Sequence, residues 1–308
     1  MSKVVIFGGT GLIGKELAEV LAIHEYNIVI VSRDIEKAEL QFASLNYQDL
    51  ISFLDINDDV AIIQAMNKSD AVINLSGASI FSKRWTKKYK EEMFESRIST
   101  TKRVLKYIEK TKEKPKTLIN SSAIGYYGAT LSDKLLDEKA PSGFDFLAQL
   151  CTAWENEANK AKDIVSRIIN LRTGLVLSSN DGVLNGLTRS YKFKIGTYFK
   201  PGYQYFSWIH IEDLTYAILE CIENKKLKGP INITAPNAVT NKQLAKDLSE
   251  VYEAKITIPI PQQLARIALG EFAENLIKGQ KVIPTKLLEI NFVFKYPELV
   301  PALKNLKE

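Results

Sequence analysis

Gly8, Gly11 and Gly14 recur every third residue directly after the apolar run VVIF. Glycines at this spacing, between a strand and a helix, suit a phosphate cradle. Gly8 permits a tight turn, Gly11 lets the backbone approach a pyrophosphate, and Gly14 lets the helix pack closely on the sheet. Free N–H groups from Thr10 through Leu12 and Ile13 would then face the anion, where the helix dipole is positive. A second signal lies about twenty residues on, in IVIVSRD, where Ser32 ends an apolar run and Arg33 follows. NAD would call for a carboxylate at the strand end to bond its ribose hydroxyls. An arginine instead matches a 2′-phosphate by charge and bidentate geometry. Asp34 is the competing ribose acid, but it stands late and fits a helix N-cap better. The pattern favours NADP(H) over NAD(H).

Other reactive side chains are sparse. Cys151 and Cys221 are the two cysteines, and His24 and His210 the two histidines. Isolated along the chain, they form no metal cluster at ligand spacing. Cys151 would need a depressed pKa to act as a nucleophile. Its position suits a small core residue on an amphipathic helix.

The elements that must position these residues follow from apolar periodicity. Short runs at residues 4–7, 28–31, 51–54, 71–75, 117–120 and 166–171 read as strands, with Asp55, a candidate cofactor-binding residue, at the end of the third. Between them, residues 12–22, 35–45, 60–66, 87–110 and 146–161 have helical spacing. Strands alternating with helices imply parallel pairing through right-handed crossovers. The expected fold is α/β, a doubly wound Rossmann sheet with helices on both faces. After Leu177 the rhythm changes. Residues 178–202 are rich in Gly, Ser and Asn. Strand and helix signals return at 201–224 and 231–252, followed by an alanine-containing helix over 265–277. The division expected is a dinucleotide-binding domain over 1–177 and about 206–235. A smaller, mainly helical C-terminal lobe would comprise 178–205 and 236–308.

Composition narrows the class. The 308 residues are 45% hydrophobic and 25% charged, an ordinary soluble globular balance. No apolar run approaches a membrane span, and MSKVVIFGG does not read as a signal peptide. The few cysteines suit a reducing, cytoplasmic setting. The formal charge of +5 draws on lysine clusters such as Lys87, Lys88 and Lys90. Glutamates intersperse them and no aromatic platform accompanies them, so a nucleic-acid partner is not expected.

Taken together, GGTGLIG at 8–14, INLSGA at 73–78, INSSAIGYYG at 119–128 and WIHIEDL at 208–214 resemble the extended short-chain dehydrogenase/reductase superfamily. A narrower resemblance rests on KRW at 83–85, DFLAQLCTAWENEA at 145–158, LRTGLVLS at 171–178 and the tail from Pro259 to Leu306. These look like its atypical branch, the epimerase family proteins with a C-terminal extension. The resemblance implies NADP(H) binding and chemistry on an unknown carbonyl or alcohol, with a homodimer as a possible assembly. It places Leu75, Ser76, Gly77, Ala78, Thr173, Gly174 and Leu175 along the cofactor. Arg172 would border the nicotinamide, and Arg84 would meet a cofactor phosphate, meet an anionic substrate or stay solvated.

The superfamily's catalytic Tyr-x-x-x-Lys pair is missing. In related sequences a glutamate lies four residues after the lysine. Taking Glu155 as that glutamate puts Cys151 at the lysine position and Leu147 at the tyrosine position. The superfamily's helper asparagine falls near Arg97. Ser122 matches the residue that orients the substrate oxygen. Tyr126 and Tyr127 follow closely, either as catalytic groups or as packing side chains. A non-catalytic NADP(H)-binding module that reports redox state to a partner is the alternative reading.

Overall fold

The computed structural model describes residues 2–179 and 182–307. Its centre is a parallel sheet of β1 (Lys3–Phe7), β2 (Asn27–Ser32), β3 (Ile51–Asp55), β4 (Ala71–Asn74), β5 (Thr117–Ala123), β6 (Arg167–Thr173) and β7 (Gly229–Ile233). The strand order is β7-β6-β5-β4-β1-β2-β3. Chain order reverses between β1 and β4, which opens a crevice at their carboxyl ends. Six crossovers include the helices α1 (Leu12–Ile23), α2 (Ile35–Phe42), α3 (Asp59–Met66), α4 (Lys87–Lys110), α5 (Phe146–Ala158) and α6 (Ile211–Glu223).

Strand alternation divides the core into two layers. Val4, Ile6, Ile28 and Ile30 pack beneath Leu17, Leu21, Leu214 and Ile218 of α1 and α6. Val5, Phe7, Val29 and Val31 face the other way, onto Ile62, Met66, Val104 and Ile108 of α3 and α4. Strands apolar on both faces are what a doubly covered sheet demands.

Beyond the sheet, Trp208 and Phe206 pack with Leu244 and Leu248 of the helix Asn241–Val251 and with Leu299 and Leu303 of the helix Leu299–Lys307. Full burial of each such leucine contributes roughly 1.5–3 kcal/mol. This second core holds the C-terminal tail. The tail is also clamped by polar groups from the segment WIHIED. His210 lies within 3.1 Å of Asn305 Oδ1, and the Asp213 carboxylate accepts the amides of Lys295 (2.7 Å) and Tyr296 (3.0 Å).

Two sequence expectations change. The helix expected over 265–277 is broken into Gln262–Leu269 and Ala273–Ile277, with a 3₁₀ turn between. Gly270, at φ +63°, ends the first helix in the left-handed region. The aperiodic stretch after Leu177 contains a short helix, Val183–Leu187, and the strand Ile195–Phe199, which pairs in parallel with Ile256–Ile260. The helices of this lobe are thus accompanied by small strand pairs.

Candidate functional site

The glycine turn joins β1 to α1. Gly8 has φ +78°, and a β-carbon there would lie 2.9 Å from the backbone of Leu75 and Ser76. At Gly14 a β-carbon would fall 2.5 Å from Gly9 Cα, so helix and turn touch directly. Gly11 differs. A β-carbon there would meet only Gly8 O, at an ordinary 3.4 Å, and the residue is exposed. Packing within the protein does not require glycine at position 11. An anion approaching the backbone does. Gly11 is also the N-cap of α1 and supplies no capping side chain. Among the described residues, the amides of Leu12, Ile13 and Gly14 find no acceptor, while Lys15 N begins the helical pattern on Gly11 O. Thr10 lies in the turn itself. These residues fit a pyrophosphate.

On one side of the turn lies the end of β2. Ser32 is buried, and its hydroxyl donates to Asp34 O at 2.9 Å. The Asp34 carboxylate caps α2 by accepting Lys37 N at 3.0 Å. Arg33 is exposed and makes no ion pair among the described residues. Asp55, paired in register with Ser32 across β2 and β3, accepts Asn57 N.

On the other side lies the segment after β4. Leu75 and Ser76 touch Gly8, and Ser76 N donates to Asn74 Oδ1. Ala78 N donates to Ser96 Oγ on α4 at 3.0 Å, while Tyr89 OH donates to Ser79 O. Trp85 is buried and donates to Ile80 O. Its ring joins Phe146 and Phe272 in an aromatic cluster that also holds Tyr89, Met93, Leu147 and Leu150. Arg84 is exposed and packs towards the C-terminal lobe, where a β-carbon on Gly270 would come within 2.9 Å of its Nε.

The ends of β5 and β6 carry a buried polar network. Ser122 and Arg172 are register partners. Ser122 Oγ donates to Glu155 Oε1 at 2.7 Å. Arg172 grips the same carboxylate in a bidentate pair, Nε to Oε1 at 2.8 Å and Nη2 to Oε2 at 2.9 Å. Its Nη1 donates to Tyr127 OH (3.1 Å) and Glu138 O (3.3 Å), and Tyr127 OH donates to Asn232 Oδ1 at 2.6 Å. The Arg172 guanidinium also lies 3.4 Å from the Tyr126 ring centroid.

The donor nitrogens of Arg172 that these bonds use are committed inward, so it ties β5, β6 and α5 together at the edge where it is expected to border the nicotinamide. Tyr127 is equally committed. Burial pushes its hydroxyl up to about 12, against the lowering effect of Arg172, far from the neutral value that suits proton transfer. Tyr126 is half-buried, and its hydroxyl makes no hydrogen bond among the described residues. Thr173 Oγ1 is bonded back to Leu171 O, Gly174 lies against Ser207 O, and Leu175 pairs with Trp208. Leu147 lies in the aromatic cluster, and burial pushes the Cys151 thiol up to about 12, which removes it as a nucleophile.

Sequence reasoning did not anticipate the role of Glu155 as the shared acceptor for Ser122 and Arg172. It also missed a second network, in which Asn74 Nδ2 donates to Thr101 Oγ1 and Asn120 Oδ1 while Trp154 Nε1 donates to Thr101 Oγ1. The signal was the pair of asparagines in otherwise apolar runs, Asn74 ending β4 and Asn120 within β5.

An intact phosphate turn at the reversal point of a doubly wound sheet, with polar residues at the adjoining strand ends, defines a dinucleotide-binding α/β protein. Residues 4–234 match the NAD dependent epimerase/dehydratase family, and residues 260–306 match a domain of unknown function, DUF1731. The chain belongs to that epimerase/dehydratase family, in the branch of epimerase family proteins that carry this C-terminal extension. It is 36% identical over 304 residues to the epimerase family protein YfhF of Bacillus subtilis, covering 99% of this chain and 97% of that one. It is 34% identical over 308 residues to the chloroplastic SDR39U1 homolog of Arabidopsis thaliana, covering 99% and 86%. The crystal structure of human epimerase family protein SDR39U1 with NADPH superposes with a TM-score of 0.86 at 29% identity, covering 99% and 98%. No helix among the described residues is long and apolar enough to cross a membrane.

Proposed function

We propose that the protein is an NADP(H)-dependent, epimerase-like oxidoreductase acting on a carbonyl or alcohol substrate, with nucleotide-sugar-like compounds among the candidates. One observation carries the cofactor choice. Arg33 stands exposed at the end of β2 with no ion pair among the described residues, while the nearby Asp34 is committed to capping α2. A free guanidinium there favours a 2′-phosphate, and a carboxylate occupied by a helix amide is a poor ribose ligand. The NADPH named with the human relative supports the same choice. Gly11 and the amides of Leu12, Ile13 and Gly14 would hold the pyrophosphate, and the bound cofactor would supply hydride transfer.

The chain's own contribution to chemistry centres on Ser122. Its proton is directed to Glu155, so its oxygen lone pairs would meet a substrate hydroxyl. Tyr126 is the uncommitted phenol nearby in sequence. With no lysine beside it, proton transfer would be slow, since a missing general acid or base costs roughly 10²–10⁴ in rate. Titration of NADPH fluorescence tests the cofactor choice. NADPH should bind about tenfold or more tightly than NADH, and Arg33→Ala should remove most of that preference. Equal affinities in the unaltered protein would overturn it.

A second reading, a non-catalytic NADP(H)-binding module that reports redox state to a partner, draws on the committed Tyr127 hydroxyl and the apolar surroundings of Leu147. A panel of carbonyl substrates separates the two. Any that oxidises NADPH catalytically supports the enzyme, and tight binding without turnover supports the module.

A further inference from the structure

Arg84 stands where the sheet domain meets the tail. It belongs to the segment between β4 and α4, and its side chain is exposed. Its backbone is pinned by the next residue. Trp85 is buried against Phe146 of α5 and Phe272 of the tail, and its Nε1 donates to Ile80 O at 2.9 Å. The Arg84 guanidinium lies along the tail backbone at Gly270. A β-carbon there would fall 2.9 Å from Nε, 3.4 Å from Nη2 and 3.5 Å from Cζ. Gly270 has φ +63° and ψ −142°, a conformation that side chains strain. The glycine thus ends its helix and lets the guanidinium rest on the tail.

The carboxylates that could neutralise it serve other cations. Glu271, next to Gly270, receives Lys90 Nζ at 3.0 and 2.9 Å. Glu274 pairs with Arg266 at 2.7 Å and with Lys278 at 3.4 Å. Glu92 pairs at 3.1 Å with Lys83, the residue before Arg84. Among the described residues, Arg84 makes no hydrogen bond and no ion pair. The side chains of Lys87 and Lys88, just beyond it, make no ion pair either. A guanidinium presents five N–H donors in a planar fork that matches a phosphate or a carboxylate. Here the cations around the fork are paired off or add to its charge, and the fork itself stays open to an anion from outside.

Its place says what would carry that anion. The segment leaves the carboxyl end of β4, the side on which a doubly wound sheet binds ligands. Its start abuts the phosphate turn at Gly8, and Arg84 lies at its far end. Contacts also lead from the Ser122 strand end to Arg84. A β-carbon on Gly125 would lie 3.1 Å from Leu147 Cβ, and Leu147 shares the aromatic cluster with Trp85. The cluster separates Ser122 from Arg84, so the fork would meet a group remote from the reacting carbon. We propose that Arg84 is a specificity-determining residue, whose guanidinium, backed by Gly270, holds a phosphate or carboxylate group of the substrate. The inference rests on the enzyme reading above and makes its substrate anionic. Binding energy from such a remote group helps to hold the reacting carbon in place.

The test titrates two probes calorimetrically onto the full chain saturated with NADPH, at fixed ionic strength: inorganic diphosphate and malonate. Tighter binding of diphosphate assigns a phosphoryl group to the substrate, and tighter binding of malonate a carboxylate. Arg84→Met should weaken the preferred probe by about tenfold or more, the loss expected for a bidentate charge-assisted pair. Arg84→Lys should recover only part of it, because an ammonium is a point charge without the fork. NADPH affinity, read by fluorescence, should be the same in Arg84→Met as in the unaltered protein. Failure of both probes to bind, or equal binding to Arg84→Met, would overturn this role while leaving the cofactor reading intact. Weaker NADPH binding in Arg84→Met would also overturn it, since the arginine would then serve the cofactor. Failure of the unaltered protein to bind NADPH would overturn both.

Discussion

Glu155 is the residue on which the strand-end network turns. Its two oxygens receive Arg172 in a bidentate pair, and one also receives Ser122. Both charged side chains are almost wholly buried. Such a pair gains little over an apolar equivalent, but breaking it leaves a charge stranded in the interior. Arg172→Met should therefore lower unfolding stability by about 3–5 kcal/mol in urea titrations. The double variant Arg172→Met with Glu155→Leu should recover much of that loss, because neither charge remains. A single variant as stable as the unaltered protein would mean that water reaches Glu155. The sequence showed Arg172 at a strand end but not which way it faces. Direction depended on Glu155, seventeen residues earlier in the chain and on a different element.

At the scale of elements, strands and helices were legible because each sheet strand is a short apolar run set between helical periods. Gly270 was the local signal that broke the expected helix at 265–277, masked by good helix formers on either side. The phosphate turn was legible as three glycines, yet only the structure separates their duties. Gly14 is required by packing, because a β-carbon would lie 2.5 Å from Gly9 Cα. Gly11 has extended backbone, φ −80° and ψ 173°, which alanine adopts freely. Gly11→Ala should thus leave the unfolding midpoint nearly unchanged, within about 0.5 kcal/mol, while weakening NADPH about tenfold or more by blocking backbone approach. Gly14→Ala should instead destabilise the fold itself, with a loss of at least about 2 kcal/mol. If Gly11→Ala binds NADPH normally, the pyrophosphate does not sit on this turn.

The whole molecule is held together at the segment WIHIED, where the sheet domain grips the tail. Glu212 N donates to His210 Nδ1, which places the imidazole proton on Nε2, facing Asn305 Oδ1. The ring also packs on Tyr296, with centroids 4.0 Å apart. Burial pulls the His210 pKa down to about 4, opposed by Glu212 and the bond to Asn305, with Lys295 adding to the depression. Folded His210 therefore stays neutral at pH values where the unfolded chain, with an ordinary value of 6.5, takes up a proton. The unfolded state binds more protons between those values, so stability rises with pH across that window. The contribution is complete above about pH 6.5 and is lost as pH falls towards about 4. Asp213, whose carboxyl is raised chiefly by burial, acts in the opposite sense, starting from the ordinary carboxylate value. Comparing the unaltered protein with His210→Asn isolates the histidine. Asparagine keeps a helix-capping acceptor but does not titrate. In urea unfolding at about pH 7 and about pH 5, the unaltered protein should lose distinctly more stability than the variant. Parallel losses would show that His210 is solvated in the folded protein and that its contact with Asn305 does not hold the tail.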